Sequence, residues 1–103
     1  MNRELFEDVS KWQTETFGNA TPLSKMAHLF EEVEELHDAI VLQLEDRRLE
    51  FADCFLLLFG AASSDGMSYE DICNAIQEKL EINKRRKWGE PDKNGVVNHI
   101  KGS

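Results

Sequence analysis

Glu50-Phe51-Ala52-Asp53-Cys54-Phe55-Leu56-Leu57-Leu58-Phe59 is the stretch whose reading decides the fold. From Phe51 to Ala62 the chain is apolar nearly all round, as expected of a helix buried on most of its sides. The spacing predicts this helix over Arg47 to Ser64, closed by the turn Ser63-Ser64-Asp65-Gly66. Two acids open it. Ionised carboxylates are costly beside a core unless something compensates them, and a hard divalent cation held by oxygen ligands is the natural partner.

Working outward, Asp46-Arg47-Arg48 marks a tight connection to a preceding helix that starts at Thr21-Pro22 and is expected to reach Glu45. Threonine caps such a start and proline fits the first turn. Leu29, Val33, Leu36 and Ile40 recur at helical spacing and form its expected core stripe. A first helix is expected from Asn2 to Thr16, with Leu5, Val9 and Trp12 as its stripe and Phe6 alongside. Phe17-Gly18-Asn19 ends it.

Beyond the apolar run, Ser68 and Asp71 give a capping-box-like start to a last helix with Ile72, Ile76 and Leu80 as its stripe, ending near Trp88-Gly89. The tail from Glu90 reads as loop, with a short extended piece at Val96-Val97. No segment reads as a convincing strand. The fold class is all-α, a four-helix bundle. A chain of 103 residues cannot easily cover so apolar a third helix alone, so completion by oligomerisation, as a homodimer or homotetramer, is expected.

The bulk properties narrow the function. An apolar fraction of 41% argues against disorder. A formal net charge of −8 gives no long-range attraction to nucleic acid or an anionic membrane, and no apolar stretch is long enough to span a bilayer. An acidic protein acting on an anionic substrate needs a metal ion or a local basic patch. Met1-Asn2-Arg3-Glu4 shows no signal sequence, and a soluble cytoplasmic protein is expected. Cys54 and Cys73 lack C-x-x-C spacing and read as small buried hydrophobes.

Advancing roughly 100° per residue places Glu32 and Glu35 on the flank of the Leu29 stripe, and Glu50, Asp53, Leu57 and Ala61 on one stripe of the next helix. Antiparallel packing across the short connection would bring both acidic pairs to one end. Glu31 points further outward. A solvated acidic face would account for Glu31 to Glu35 alone, but not for Glu50 and Asp53 among apolar neighbours. Clustered carboxylates without thiolates suit Mg²⁺ or Mn²⁺. Glu34 and His37 make one Glu-x-x-His, but a di-iron bundle needs two. His28, one turn before Glu32, reads as a residue behind the ligands or on the surface.

The last helix supplies the opposite charge. Lys79, Asn83 and Arg86 share a face and are candidates to hold phosphate oxygens. Complementing the helix dipole is the competing reading of Lys84-Arg85-Arg86-Lys87. Trp12, Phe17 and Trp88 are candidates to stack on a base, although Trp12, on the Leu5/Val9 stripe, reads equally as core.

Glu31-Glu32-x-x-Glu35 followed by Glu50-x-x-Asp53 resembles the E-E-x-x-E…E-x-x-D signature of the MazG-like all-α nucleoside triphosphate pyrophosphohydrolases, in particular the small bacteriophage-type members. His28-Leu29, Ala52-Asp53-Cys54 and the run from Lys79 to Gly89 extend the resemblance, which spans roughly residues 12 to 99. It implies a MazG-like domain over residues 1–89 with a tail at 90–103, and hydrolysis of a (d)NTP to the monophosphate and pyrophosphate with Mg²⁺ (or Mn²⁺). It further implies that Glu32, Glu35, Glu50 and Asp53 carry the metal, that Glu31 and Glu35 serve catalysis, and that Lys79, Asn83 and Arg86 bind phosphates. Sites of the family are commonly built at subunit contacts. For a phage-encoded member the compartment is the host cytoplasm. The alternatives are a dUTPase-like or phosphoribosyl-ATP pyrophosphatase relative and a non-catalytic helical dimerisation module.

Overall fold

The computed structural model describes residues 1–18 and 20–102. Among the described residues four helices follow one another: α1 (Arg3–Phe17), α2 (Pro22–Val41), α3 (Arg47–Ser64) and α4 (Tyr69–Arg85). The chain forms two compact units, Met1–Glu70 and Asp71–Ser103. Among the described residues no helix is long and apolar enough to cross a membrane.

In the first unit, α2 and α3 make the main packing pair and α1 lies on α3. Local chemistry sets the helix starts. Asn2 caps α1 by accepting from Leu5 N–H, and Thr21 caps α2 by accepting from Ser24 N–H, with Pro22 in the first turn. Gly18 leaves α1 at positive φ, and Asn19, read as part of that exit signal, lies outside the described residues. Tyr69 and Glu70 fasten the end of the unit back to α1. Tyr69 donates its hydroxyl to the Met1 carbonyl at 2.8 Å and packs on Phe6, while Glu70 pairs with Arg3.

Helix α2 stops at Val41 and not at Glu45. Leu44 N–H reaches the Ala39 carbonyl and Gln43 N–H the Ile40 carbonyl, the pair of bonds that closes a Schellman motif. Its left-handed position is Gln43, at φ 55°. Glycine or asparagine there would have announced the stop, and glutamine does not. At the end of α3 the same motif holds Gly66, at φ 95°, which is why that boundary was readable.

The buried faces are turned relative to the expected stripes. On α2 the inner row is Leu29, Glu32, Leu36 and Ala39, leaving Val33 and Ile40 exposed. The inner row of α1 runs from Phe6 to Gln13, so Leu5 and Trp12 point outward. Only part of α3 is covered: Leu57, Gly60 and Ala61 are buried, but Phe51, Phe55 and Leu58 lie exposed along one stripe.

Gln13, 2% exposed, donates its amide N–H to the Leu56 carbonyl, and Lys25 Nζ donates to the Gly60 carbonyl. These two bonds tie α1 and α2 to α3. Because Lys25 begins α2 and Gly60 is late in α3, the second also fixes the two helices as antiparallel.

In the second unit Ile72 is buried, whereas Ile76 and Leu80 of the expected stripe are exposed. Past α4 the Trp88 indole donates to the Asn83 carbonyl, and Trp88 forms an antiparallel bridge with His99. This bridge is isolated, and the turn that leads into Val96 is held by the Asp92 carboxylate, which accepts from Asn94 N–H and Val96 N–H.

Candidate active site

The inner row of α2 carries Glu32 between Leu29 and Leu36, so packing against α3 forces this carboxylate inward. Glu35 stands one turn further on, and Glu50 opens α3 opposite. One carboxylate oxygen from each of Glu32, Glu35 and Glu50 falls within 4.8 Å of the others. Glu32 and Glu50 are half-buried and Glu35 is exposed. Asp53 is outside this trio but close enough to Glu32 for its charge to be felt. Glu31 is exposed and no part of it.

Electrostatics strain the cluster. Burial, first, and then the shared hydrogen bond and charge of Glu35 with the charge of Asp53 hold Glu32 above its ordinary carboxylate value. The Cys54 thiol is pushed up by burial and by Glu32, Asp53 and Glu50, and so stays protonated and inert. Glu50 Oε2 is buried with no hydrogen-bond partner. Three converging acidic oxygens, with Glu50 left one oxygen without a partner, fit a divalent cation, and an all-carboxylate set suits Mg²⁺ or Mn²⁺.

Beside the carboxylates lies a cavity of about 200 Å³ lined by Trp12, Phe17, His28, Glu32 and Asp53, with Gln13, Leu56 and Leu57 completing its wall. Trp12 meets Phe17 edge-to-face at 5.6 Å, and Phe17 meets His28 in the same way at 6.1 Å. The rings thus form a continuous wall ending at His28, whose Nε2 stands 3.5 Å from Glu32 Oε1. Trp12 owes this position to the turn of α1 that buries Gln13. No pattern in the sequence singles out Gln13, whereas the four-residue spacing of His28 and Glu32 was visible.

In the second unit, Lys79 and Asn83 lie one turn apart on α4 and Arg86 follows just past its end, Lys79 exposed and the other two half-buried. Asn83 Oδ1 is buried without a partner. Glu34 and His37 are both exposed, and His37 pairs with Asp38.

An all-α chain whose adjacent antiparallel helices aim Glu32, Glu35 and Glu50 at one point has the architecture of the MazG-like pyrophosphohydrolases. A solved member, the MazG-like pyrophosphohydrolase of cyanophage S-2L bound to dGDP and three catalytic Mn²⁺ ions per active site, matches with a TM-score of 0.76 at 30% identity over 94% of each chain. The model of the dATP/dGTP pyrophosphohydrolase family matches residues 5–103, and the chain belongs to that family. The dATP/dGTP diphosphohydrolase of cyanophage S-2L is 34% identical over 100 residues, covering 97% of this chain and 89% of that protein. The Eaa protein of Salmonella phage P22 is 49% identical over 53 residues, 52% of this chain but 17% of the phage protein. The chain is therefore a metal-dependent nucleoside triphosphate pyrophosphohydrolase, a hydrolase of phosphoric anhydrides.

Proposed function

We propose that the chain hydrolyses dATP and dGTP to the monophosphates and pyrophosphate. The observation that carries this reading is the meeting of three carboxylates, one of which, Glu32, also lines an aromatic-walled cavity. Its family and its cyanophage relative support the purine preference.

Glu32, Glu35 and Glu50 would hold the cations, with Asp53 as a further ligand from α3. Bound there, divalent cations would mask polyphosphate charge and would make a water a stronger nucleophile at neutral pH. Glu35, the exposed member of the cluster, takes the proton of the water that attacks the α-phosphorus in line with the departing pyrophosphate. Glu31 is confined to ordering water at the rim. Lys79, Asn83 and Arg86 would hold phosphate oxygens, and Trp12 and Phe17 would stack on the base, with residues 90–103 a tail outside the catalytic domain of 1–89.

The working form would be a homodimer or homotetramer in the cytoplasm, that of the host if a phage encodes it. Supporting this, Phe51, Phe55 and Leu58 line one exposed stripe of α3. A groove of about 450 Å³ between α1 and α3, lined by Met1, Leu5, Ala52, Phe55, Leu56 and Phe59, adjoins it. Neither nucleic acid nor membrane is expected as a partner of so acidic a chain.

The test is a panel of canonical and modified (d)NTPs with Mg²⁺ or Mn²⁺, read for pyrophosphate and monophosphate. Pyrophosphate should come from dATP and dGTP, E50Q should remain folded but inactive, and W12A should raise KM roughly tenfold, the loss of one stacking contact. Release of orthophosphate instead, or full turnover by E50Q, contradicts the reading.

A further inference from the structure

We infer that His28 is a positioning residue that holds Glu32 in its metal-binding orientation and joins that ligand to the aromatic wall of the cavity. The inference rests on the proposed cation site. Three observations carry it. His28 Nε2 stands 3.5 Å from Glu32 Oε1, one helical turn away, where an i,i+4 pair on α2 naturally meets. The His28 ring also meets Phe17, edge-to-face at 6.1 Å, and Phe17 in turn meets Trp12. His28 and Glu32 also line the same cavity, so the pair lies between the base-binding wall and the carboxylate cluster.

Glu32 needs such a partner. It is the cluster member on the inner row of α2, with carboxylate oxygens of Glu35 and Glu50 within 4.8 Å and His28 Nε2 at 3.5 Å. A carboxylate ligand has two oxygens and a rotatable end. A donor on one oxygen leaves the other aimed, and removing such a donor behind a metal ligand typically lowers metal affinity about 10–100-fold. A ring pinned by Phe17 serves this end better than a flexible side chain, because little freedom is left to lose when the cation binds.

The experiment uses the full chain with Mn²⁺ as probe, its binding followed by electron paramagnetic resonance without nucleotide, alongside thermal melting. H28F keeps the ring packing on Phe17 and removes the nitrogen. It should melt like the wild type yet bind Mn²⁺ about 10–100-fold more weakly. H28Q restores an N–H at similar reach and should recover much of that loss. Mn²⁺ affinity within twofold of wild type in H28F, with a raised KM for dGTP, would make His28 a base contact and overturn the inference. A loss shared equally by H28Q and accompanied by a lowered melting temperature would overturn it as a mere fold defect. No Mn²⁺ binding by the wild type would instead remove the cation site itself, separating failure of the parent reading from failure of this one.

Discussion

The side-chain amide of Gln13 occupies the space that a Cβ on Gly60 would need. Gln13 is a buried polar residue of the first unit's core, and its N–H bond to the Leu56 carbonyl ties α1 to α3. The missing side chain at Gly60 lets that amide in, at the cost of a glycine in mid-helix.

G60A should therefore destabilise the protein despite alanine's better helix propensity. Overpacking costs about 1–3 kcal/mol against a propensity gain of about 1 kcal/mol. In a Q13A background the same substitution should turn neutral or stabilising, since the new methyl fills the vacated space. A double-mutant cycle read by thermal melting checks the coupling. Simple additivity would show that the two residues do not compete for the same volume.

The charge on Glu32 gives a pH signature. Its folded value is raised above 4.5, chiefly by burial, so between 4.5 and the raised value the folded chain binds more protons than the unfolded one. Stability from this group is thus greatest at low pH and falls as pH rises through that window. In the metal-free protein, E32Q should flatten this decline and raise the melting temperature at neutral pH. It should also abolish the stabilisation that saturating Mg²⁺ or Mn²⁺ gives the wild type, about 2.7 kcal/mol at 100 times Kd.

Phe55, 56% exposed, and Leu58, 50% exposed, should be covered in the assembled protein. F55E/L58E should shift the mass measured by light scattering towards the monomer while leaving helical content by circular dichroism largely intact. An unchanged mass would mean the contact between copies lies elsewhere.

Gln43 holds a left-handed conformation that suits glycine. Q43G should stabilise the α2 terminus by up to about 1 kcal/mol, a rise of several degrees in melting temperature for a chain this size. A fall in melting temperature would mean that the Gln43 side chain contributes more than its backbone strain costs.

The helices were largely legible because their punctuation is local: Thr21-Pro22 opens α2, and Ser64-Asp65-Gly66 closes α3 with a glycine at the left-handed position. The α2 terminus escaped because Gln43 carries no such signal. Which face turns inward was less legible. Val33 and Ile40 look as core-like as Leu36, and only packing against α3 selects the row that includes Glu32. For the same reason the E-x-x-E spacing announced the acids, while the partnership of His28 with Phe17 depends on how the end of α1 meets α2 across the connection between them. Gln13 could not be foreseen, since a polar residue in a helix ordinarily faces water.

The two indoles of the chain are divided between its halves, Trp12 beside the cavity in the first unit and Trp88, tied to the Asn83 carbonyl, in the second. Each half consequently carries its own intrinsic fluorophore. In single-tryptophan variants, emission from Trp12 would be quenched or shifted by an occupied nucleotide cavity, while emission from Trp88 would follow the integrity of the α4 terminus, giving two optical channels without any added label.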